Sequence, residues 1–384
     1  MSARSRLFIA LASTCLTAYI ALGVLLGRVM GDTTYGQLSV FNEVVRLVIE
    51  AYVEPINVDR TLAGADLGLT DALDGDSGYL PAEELKAYQA KAGGDAEIGV
   101  QVTRRFAFLM IVSVRPGSPA EKAGLQPGDL LKTIDGRHSR PLPAVVGDRL
   151  LRGAPGSIVK LDVLRAGSDP LEFSVVRERL TPAEPQRRQL ADGTGYLRVR
   201  EFHAQTAGTL RGELEALRRA GVSRLVLDLR GAGYGEPADA VRVAELFLKG
   251  GTVAKLEGRR IESRSFEADP AASAWEGPLA VLTDTGTAGP GEIVAAALRD
   301  AGRPLVGERT FGRAGIQRVV SLPEGGLLLT VGKYVSPKGE PIHGKGVLPT
   351  DAVDAATPAT AEDKDPALEK ALELLAKPAE KKAA

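Results

Sequence analysis

At 384 residues, 44% hydrophobic and 25% charged, the chain is long enough for two or three compact units and too apolar to remain unfolded. A formal net charge of −1 argues against a nucleic-acid-binding surface, which is normally basic. The single cysteine, Cys15, excludes an intrachain disulfide, and His138, His203 and His343 lack the thiol or acidic clustering of a metal site, so neither metal nor cofactor is expected.

Leu7 to Leu26 form an apolar run about long enough to cross a bilayer. Arg4 and Arg6 precede it, which places the amino terminus in the cytoplasm and the bulk of the chain on the periplasmic or extracytoplasmic side. A cleaved signal peptide is the competing interpretation. The run exceeds a typical signal-peptide core and no clear small-x-small site precedes Arg28, so a single-pass anchor over residues 1–30 is expected. Cys15 then serves as a small apolar residue in the membrane.

Residues 31–94 read as a helical segment. Val40, Phe41, Val44, Val45, Val48 and Ile49 form a helical stripe that packs either on its own core or on a second copy of the chain. LDGDSGYL (Leu73 to Leu80) lacks the spacing of a calcium loop and predicts a helix-ending turn. From 95 to 180 the pattern is rich in short strands, with a short helix at Ala120 to Leu125 closed by Gly124 and a turn at Pro127-Gly128-Asp129.

Past a linker at Pro182 to Pro185, residues 186–354 alternate strands and helices. Strands are predicted at Tyr196–Val199, Arg224–Leu229 and Pro278–Asp284, and helices at Thr206–Ala220, Ala238–Leu248 and Gly291–Ala301. Such alternation implies crossover units and a largely parallel sheet, whose strand-to-helix loops carry ligands and chemistry. Gly231–Glu236 and Thr287–Gly291 are loops of that type. The tail, 355–384, holds a short helix at Pro366–Ala376.

TAGPGEIVAAALRD (Thr287 to Asp300) followed by TFGRAGIQ (Thr310 to Gln317) resembles the active-site half of the carboxyl-terminal processing peptidases, or tail-specific proteases. YVEPINVDRTLAGADLGLTDALDGDSGYLPAEEL (Tyr52 to Leu85) resembles that family's amino-terminal helical segment. IGVQV and IVSVRPGSPAEKAGLQPGDLLKTIDG (Ile98 to Gly136) resemble its PDZ domain, and GYLRVREF, RLVLDLRGAGYGE and LLLTVGKYVSPKGEPIHGKGVLPTD its peptidase core. The resemblance covers about residues 38–352. It implies a parallel-rich α/β core with a crotonase- or protease-like sheet and helices, a β-rich PDZ domain, a helical segment and one transmembrane helix before them.

The resemblance also assigns roles. The nucleophilic serine of the family falls at Gly289, its general-base lysine at Arg313, an oxyanion N–H at Pro290 and an orienting glutamine at Gln317; only the last is retained. A further departure lies at GAGYGE (231–236), where the family has N-P-G-G and draws its other oxyanion donor. A serine peptidase needs an attacking oxygen and a base with a free lone pair. Glycine has no such oxygen, a guanidinium stays protonated, and proline has no N–H to aim at developing charge.

Thr285 and Thr287, with Lys333, Lys338 or Lys345, are the groups from which a relocated dyad could be drawn. The expected function is therefore a membrane-tethered member without its dyad. It would bind polypeptide carboxyl termini through Ile98, Gly99 and Val100 of the PDZ carboxylate loop, as an adaptor or regulator of proteolysis. An active serine-type endopeptidase using relocated groups is the alternative. Expected partners are polypeptide C-termini, a second copy of the chain or an active protease relative, and the membrane, with no nucleic acid.

Overall fold

The computed structural model describes residues 33–91, 93–353 and 364–376. The expected anchor at Leu7–Leu26, with Cys15, lies outside them. Among the described residues no helix is long and apolar enough to cross a membrane.

Two compact units divide the chain, residues 1–65 and 66–384. In the first, helix α1 (Thr33–Ala51) carries the predicted stripe, with Val40, Phe41, Val44 and Ile49 exposed and Val45 and Val48 half-buried. Arg46 pairs with Glu43 and Glu50 on the same helix, each at 2.6 Å. Helix α2 (Val58–Asp71) follows.

In the second unit, Asp74 makes the predicted turn: its Oδ1 accepts the N–H groups of Asp76 at 3.0 Å and Ser77 at 2.7 Å. Strand β1 (Gly78–Pro81) and helix α3 (Ala82–Gln89) come next. The strand-rich region is an antiparallel sheet of β2 (Val100–Arg105), β3 (Phe108–Val114), β4 (Leu130–Ile134), β5 (Arg137–His138), β6 (Ile158–Leu164) and β7 (Leu171–Val176). Its order is β2-β3-β4-β6-β7, with β5 on β4, so β2 is an edge.

Two short helices pack on this sheet, α4 (Pro119–Ala123) and α5 (Ala144–Leu151). The first starts as its residues dictate. Ser118 Oγ accepts the N–H of Glu121, Pro119 sits in the first turn, and Gly124 ends the helix at φ 87°.

The core sheet is built from β8 (Gln186–Gln189), β9 (Gly195–Arg198), β11 (Leu225–Asp228), β15 (Leu279–Thr283), β16 (Leu305–Gly307) and β19 (Asp351–Ala352). Its order is β19-β16-β15-β11-β9-β8; every pairing is parallel except that of β8 at the edge. Between β9 and β11 lie β10 (Glu201–Phe202) and α6 (Thr206–Arg219). Between β11 and β15 lie β12 (Tyr234–Gly235), α7 (Pro237–Glu245), β13 (Thr252–Glu257) and β14 (Arg264–Glu267). Helix α8 (Pro290–Asp300) crosses from β15 to β16, and α9 (Pro366–Ala376) follows the sheet.

Strand periodicity sorts the two faces. Leu225 and Leu227 join Leu279 and Val281 in the larger cluster with residues of α6, α7 and α8, while Val226, Ala280 and Leu282 join Ala367, Ala371 and Leu375 of α9. The nine residues Pro290–Leu298 of α8 are all buried, and a run of three alanines lets neighbours approach closely.

Strands β17 (Gly315–Leu322) and β18 (Gly325–Val335) form a long hairpin that continues an antiparallel sheet ordered β1-β18-β13-β14. The predicted helices and strands agree with those observed to within one to three residues at each end. The differences fall at element ends, where the boundary of a helix or strand is set by its last one or two hydrogen bonds.

Candidate active-site cleft

Three loops converge beyond the carboxyl ends of β11 and β15. Asp284 staples two of them: its Oδ1 accepts the N–H of Gly231 at 2.9 Å, the N–H of Gly286 at 3.0 Å and the hydroxyl of Thr287 at 3.1 Å. Burial pushes its carboxyl above the ordinary range. The N–H of Ala288 donates to the carbonyl of Ala232 at 3.0 Å, closing the join.

Gly289 then makes the turn into α8 at φ 49° and ψ −112°. A Cβ there would find its nearest neighbours at 3.4 Å (Arg313 O) and 3.9 Å (Gly233 O), so the site has room for a side chain that glycine does not supply. This is a sharp strand-to-helix turn of the kind that exposes a nucleophile in serine hydrolases. Pro290, buried at the first helical position, offers no N–H.

Glu292 holds the third loop to this turn. Fully buried, its carboxylate accepts the N–H groups of Gly289 at 2.9 Å, Gly312 at 2.6 Å and Arg313 at 2.7 Å, and the hydroxyl of Thr310. Burial pushes its pKa up to about 7, against the pull of those four donors.

Arg313 is thereby aimed at the amino-terminal turn: its Nε lies 3.1 Å from both carboxylate oxygens of Asp76. Thr103 of β2 donates its hydroxyl to the same Asp76 at 3.0 Å. Burial opposes the charge on Arg313, but Asp76 and Asp148 outweigh it and hold the guanidinium more firmly protonated than usual. Gln317 donates Nε2 to Thr330 Oγ1 at 3.2 Å. Gly233, Gly289, Pro290, Arg313 and Gln317 together line a cleft of about 180 Å³.

All four predicted positions of the peptidase core therefore meet in one cleft. Sequence reasoning missed the groups that complete it. Gln101 of β2 lines the same cleft and accepts the Ser113 hydroxyl at 3.1 Å, while Gly233 is pressed so close to Ser113 that a Cβ would lie 2.5 Å from its Oγ.

Asp148 of α5 is lifted to about 6 by burial, although Arg313 and the Val102 N–H work the other way. Tyr234 is 9% exposed and its hydroxyl has no hydrogen-bond partner; burial pushes it well above the ordinary phenol range. The one signal for Asp76 was its place in an acidic turn. Its partner stands 237 residues away.

The groups from which a relocated dyad could be drawn are arranged otherwise. The Thr287 hydroxyl is fully buried and donates to the carbonyl of Leu229 at 2.8 Å, whereas Thr285, Lys333, Lys338 and Lys345 are exposed.

Ile98, Gly99 and Val100, at the start of β2, do not line the cleft, although Gln101, the next residue along the strand, does. The carbonyl of Ile98 accepts the N–H of Ala120 at 2.9 Å and that of Gly99 the N–H of Arg115 at 2.8 Å. Gly99 sits at φ 83°, where a Cβ would lie 2.3 Å from Ser118 Cβ, so close packing as well as conformation requires glycine. One N–H group along the β2 edge is already engaged, that of Arg104 by the carbonyl of Gly75 at 3.0 Å.

The geometry matches known proteins. Peptidase family S41 matches residues 193–353, and a PDZ domain matches residues 110–165. The carboxy-terminal processing protease CtpA of Bacillus subtilis is 30% identical over 350 residues, which are 89% of this chain and 75% of that protein. This chain belongs to the S41 family of carboxyl-terminal processing peptidases.

Among other S41 members, the carboxyl-terminal-processing protease of Synechocystis is 36% identical over 267 residues, 67% of this chain and 62% of its own length. The probable CtpA-like serine protease of Staphylococcus haemolyticus is 33% identical over 306 residues, 78% of this chain and 61% of its own. The chain thus spans about three-fifths to three-quarters of these relatives. The photosystem II D1 C-terminal processing protease superposes with a TM-score of 0.67 at 27% identity, covering 82% of this chain and 92% of that one. That agreement extends the S41 fold across the PDZ and core regions together.

Proposed function

We propose that this S41 member is a pseudopeptidase that grips polypeptide tails without cutting them, as an adaptor or regulator of an active relative. The observation that carries the reading is Gly289. The turn that would present a nucleophile is kept at φ 49° with room for a side chain, and it holds no oxygen. Arg313 reinforces it, because a guanidinium paired with Asp76 at 3.1 Å has no lone pair with which to take a proton.

The PDZ region supplies the binding half. A polypeptide carboxyl terminus is captured at Ile98–Val100, and extension of the bound strand along β2 competes with the carbonyl of Gly75 for the N–H of Arg104. Membrane tethering through Leu7–Leu26, with the bulk of the chain on the extracytoplasmic side, and self-association through the α1 stripe belong to the same proposal.

The test is incubation of the purified chain with an unstructured protein, with carboxyl-terminal peptides titrated by calorimetry in parallel. The expected result is intact substrate and saturable binding. Cleavage that Thr287→Ala abolishes would establish a working relocated site instead. A cross-linking pull-down from membranes tests the adaptor role, which requires a catalytically intact partner to co-purify.

A further inference from the structure

Beside the cleft, on the other side of Gly315, lies a second cavity of about 360 Å³. The hairpin loop after β13 contributes Arg259 and Arg260, β18 contributes Lys333, and the imidazole of His343 also lines the cavity. Among the described residues the side chains of Arg259, Arg260 and Lys333 take part in no ion pair or hydrogen bond, and all three are exposed.

One carboxylate, Glu257, shares this lining, which leaves a formal excess of two positive charges on a chain whose net charge is −1. Among the described residues neither buried ring nitrogen of His343 has a hydrogen-bond partner, and Asp74, 3.7 Å from Nε2, raises the affinity of that ring for a proton.

Gly315 lines the cleft, and a Cβ on it would come within 2.9 Å of Thr330 and 3.0 Å of His343 Nδ1, two residues that line this cavity, so the two spaces are neighbours.

We propose that this basic cavity receives a carboxylate of the polypeptide held in the neighbouring cleft. The inference rests on the proposed function of gripping polypeptide tails, extended here from the PDZ region to the cleft. Charge complementarity selects the occupant: a carboxylate accepts from guanidinium donors in pairs and finds here two guanidinium groups and an ammonium. Its source is either the carboxyl terminus or an acidic side chain near it.

The experiment uses the full chain and a short fluorescent peptide carrying a photoreactive group beside its terminal carboxylate. Three versions are compared: the free acid with no acidic side chain, its C-terminal amide, and the amide with one glutamate added. The free acid, the glutamate amide or both are expected to bind and to cross-link to residues 257–260 or 330–333. The neutral amide is expected to bind at least about tenfold more weakly, as is each carboxylate-bearing peptide to Arg259→Glu/Arg260→Glu, the loss that follows removal of a charge-assisted contact.

Both replacements lie on an exposed loop, so an unaltered circular dichroism spectrum serves as the folding control. Which acidic peptide binds identifies the source of the carboxylate. Unchanged affinity in the double variant, equal binding of the neutral amide, or cross-links confined to residues 98–100 overturns the cavity proposal while the PDZ reading stands. Failure of every peptide to bind the unaltered chain overturns both.

Discussion

Restoring the missing groups one at a time asks whether the cleft lacks only its chemistry. Gly289→Ser places an oxygen where the nearest neighbours of its Cβ stand at 3.4 and 3.9 Å, so sterics permit it. The backbone at φ 49° and ψ −112° costs a non-glycine residue about 1–3 kcal/mol, which for a domain of this size lowers Tm by a few degrees. Arg313→Lys then supplies a group that can lose its proton.

The structure says that these two changes are not enough. Asp76 stays beside the new ammonium, and an opposite charge at that range raises a pKa by about 1–3 units. Adding Asp76→Asn therefore increases the neutral lysine fraction by about tenfold to a thousandfold. Pro290→Ala restores an N–H, and a missing oxyanion donor costs about a hundred- to a thousandfold in rate.

The assay is cleavage of an unstructured protein followed by gel and mass spectrometry, with a serine-directed fluorophosphonate probe to report the nucleophile. Gly289→Ser alone is expected to be inert. The pair with Arg313→Lys should remain near background, and measurable turnover should begin only when Asp76→Asn is included. Turnover by the pair that Asp76→Asn does not raise would refute the argument that the ion pair disables the base position.

Other expectations concern the scaffold. Glu292→Gln turns an amide NH2 toward two of four donors and should cost about 2–4 kcal/mol in denaturant titrations. Because the folded-state pKa of Glu292 lies near 7 against 4.5 ordinarily, its contribution to stability is complete below pH 4.5 and lost as pH rises through about 7. The Gln variant should therefore lose less stability than the wild type between these limits, by up to about 3 kcal/mol, while Asp148, raised to about 6, leaves a smaller slope of the same sign.

Thr287→Ala should lower stability by about 1–2 kcal/mol, measured in the same titrations, without altering proteolysis, since its hydroxyl serves Leu229 and Asp284. Gly235→Ala puts a Cβ 1.9 Å from the carbonyl of Phe202 at φ 117°, and is expected to cost at least about 3 kcal/mol or to prevent soluble expression.

The sequence by itself determined the element types, because a period of 2 or 3.6 and a flanking Gly or Pro are local. Leu210, Leu214 and Leu217 marked α6, and Ser118, Pro119 and Gly124 bounded α4. It also determined which groups are absent, since Gly289 has no hydroxyl, Pro290 no N–H and Arg313 no free lone pair wherever they are placed.

What only the tertiary structure decided is which distant groups share one dielectric environment. Asp76 and Arg313 meet across 237 residues, Glu292 gathers donors from two loops, and Asp148 and Tyr234 acquire their shifted proton affinities chiefly from burial, with smaller contributions from charges that the fold brings near them. Desolvation and ion pairing depend on distances through space, and those follow from how the sheets and helices pack rather than from any pattern along the chain.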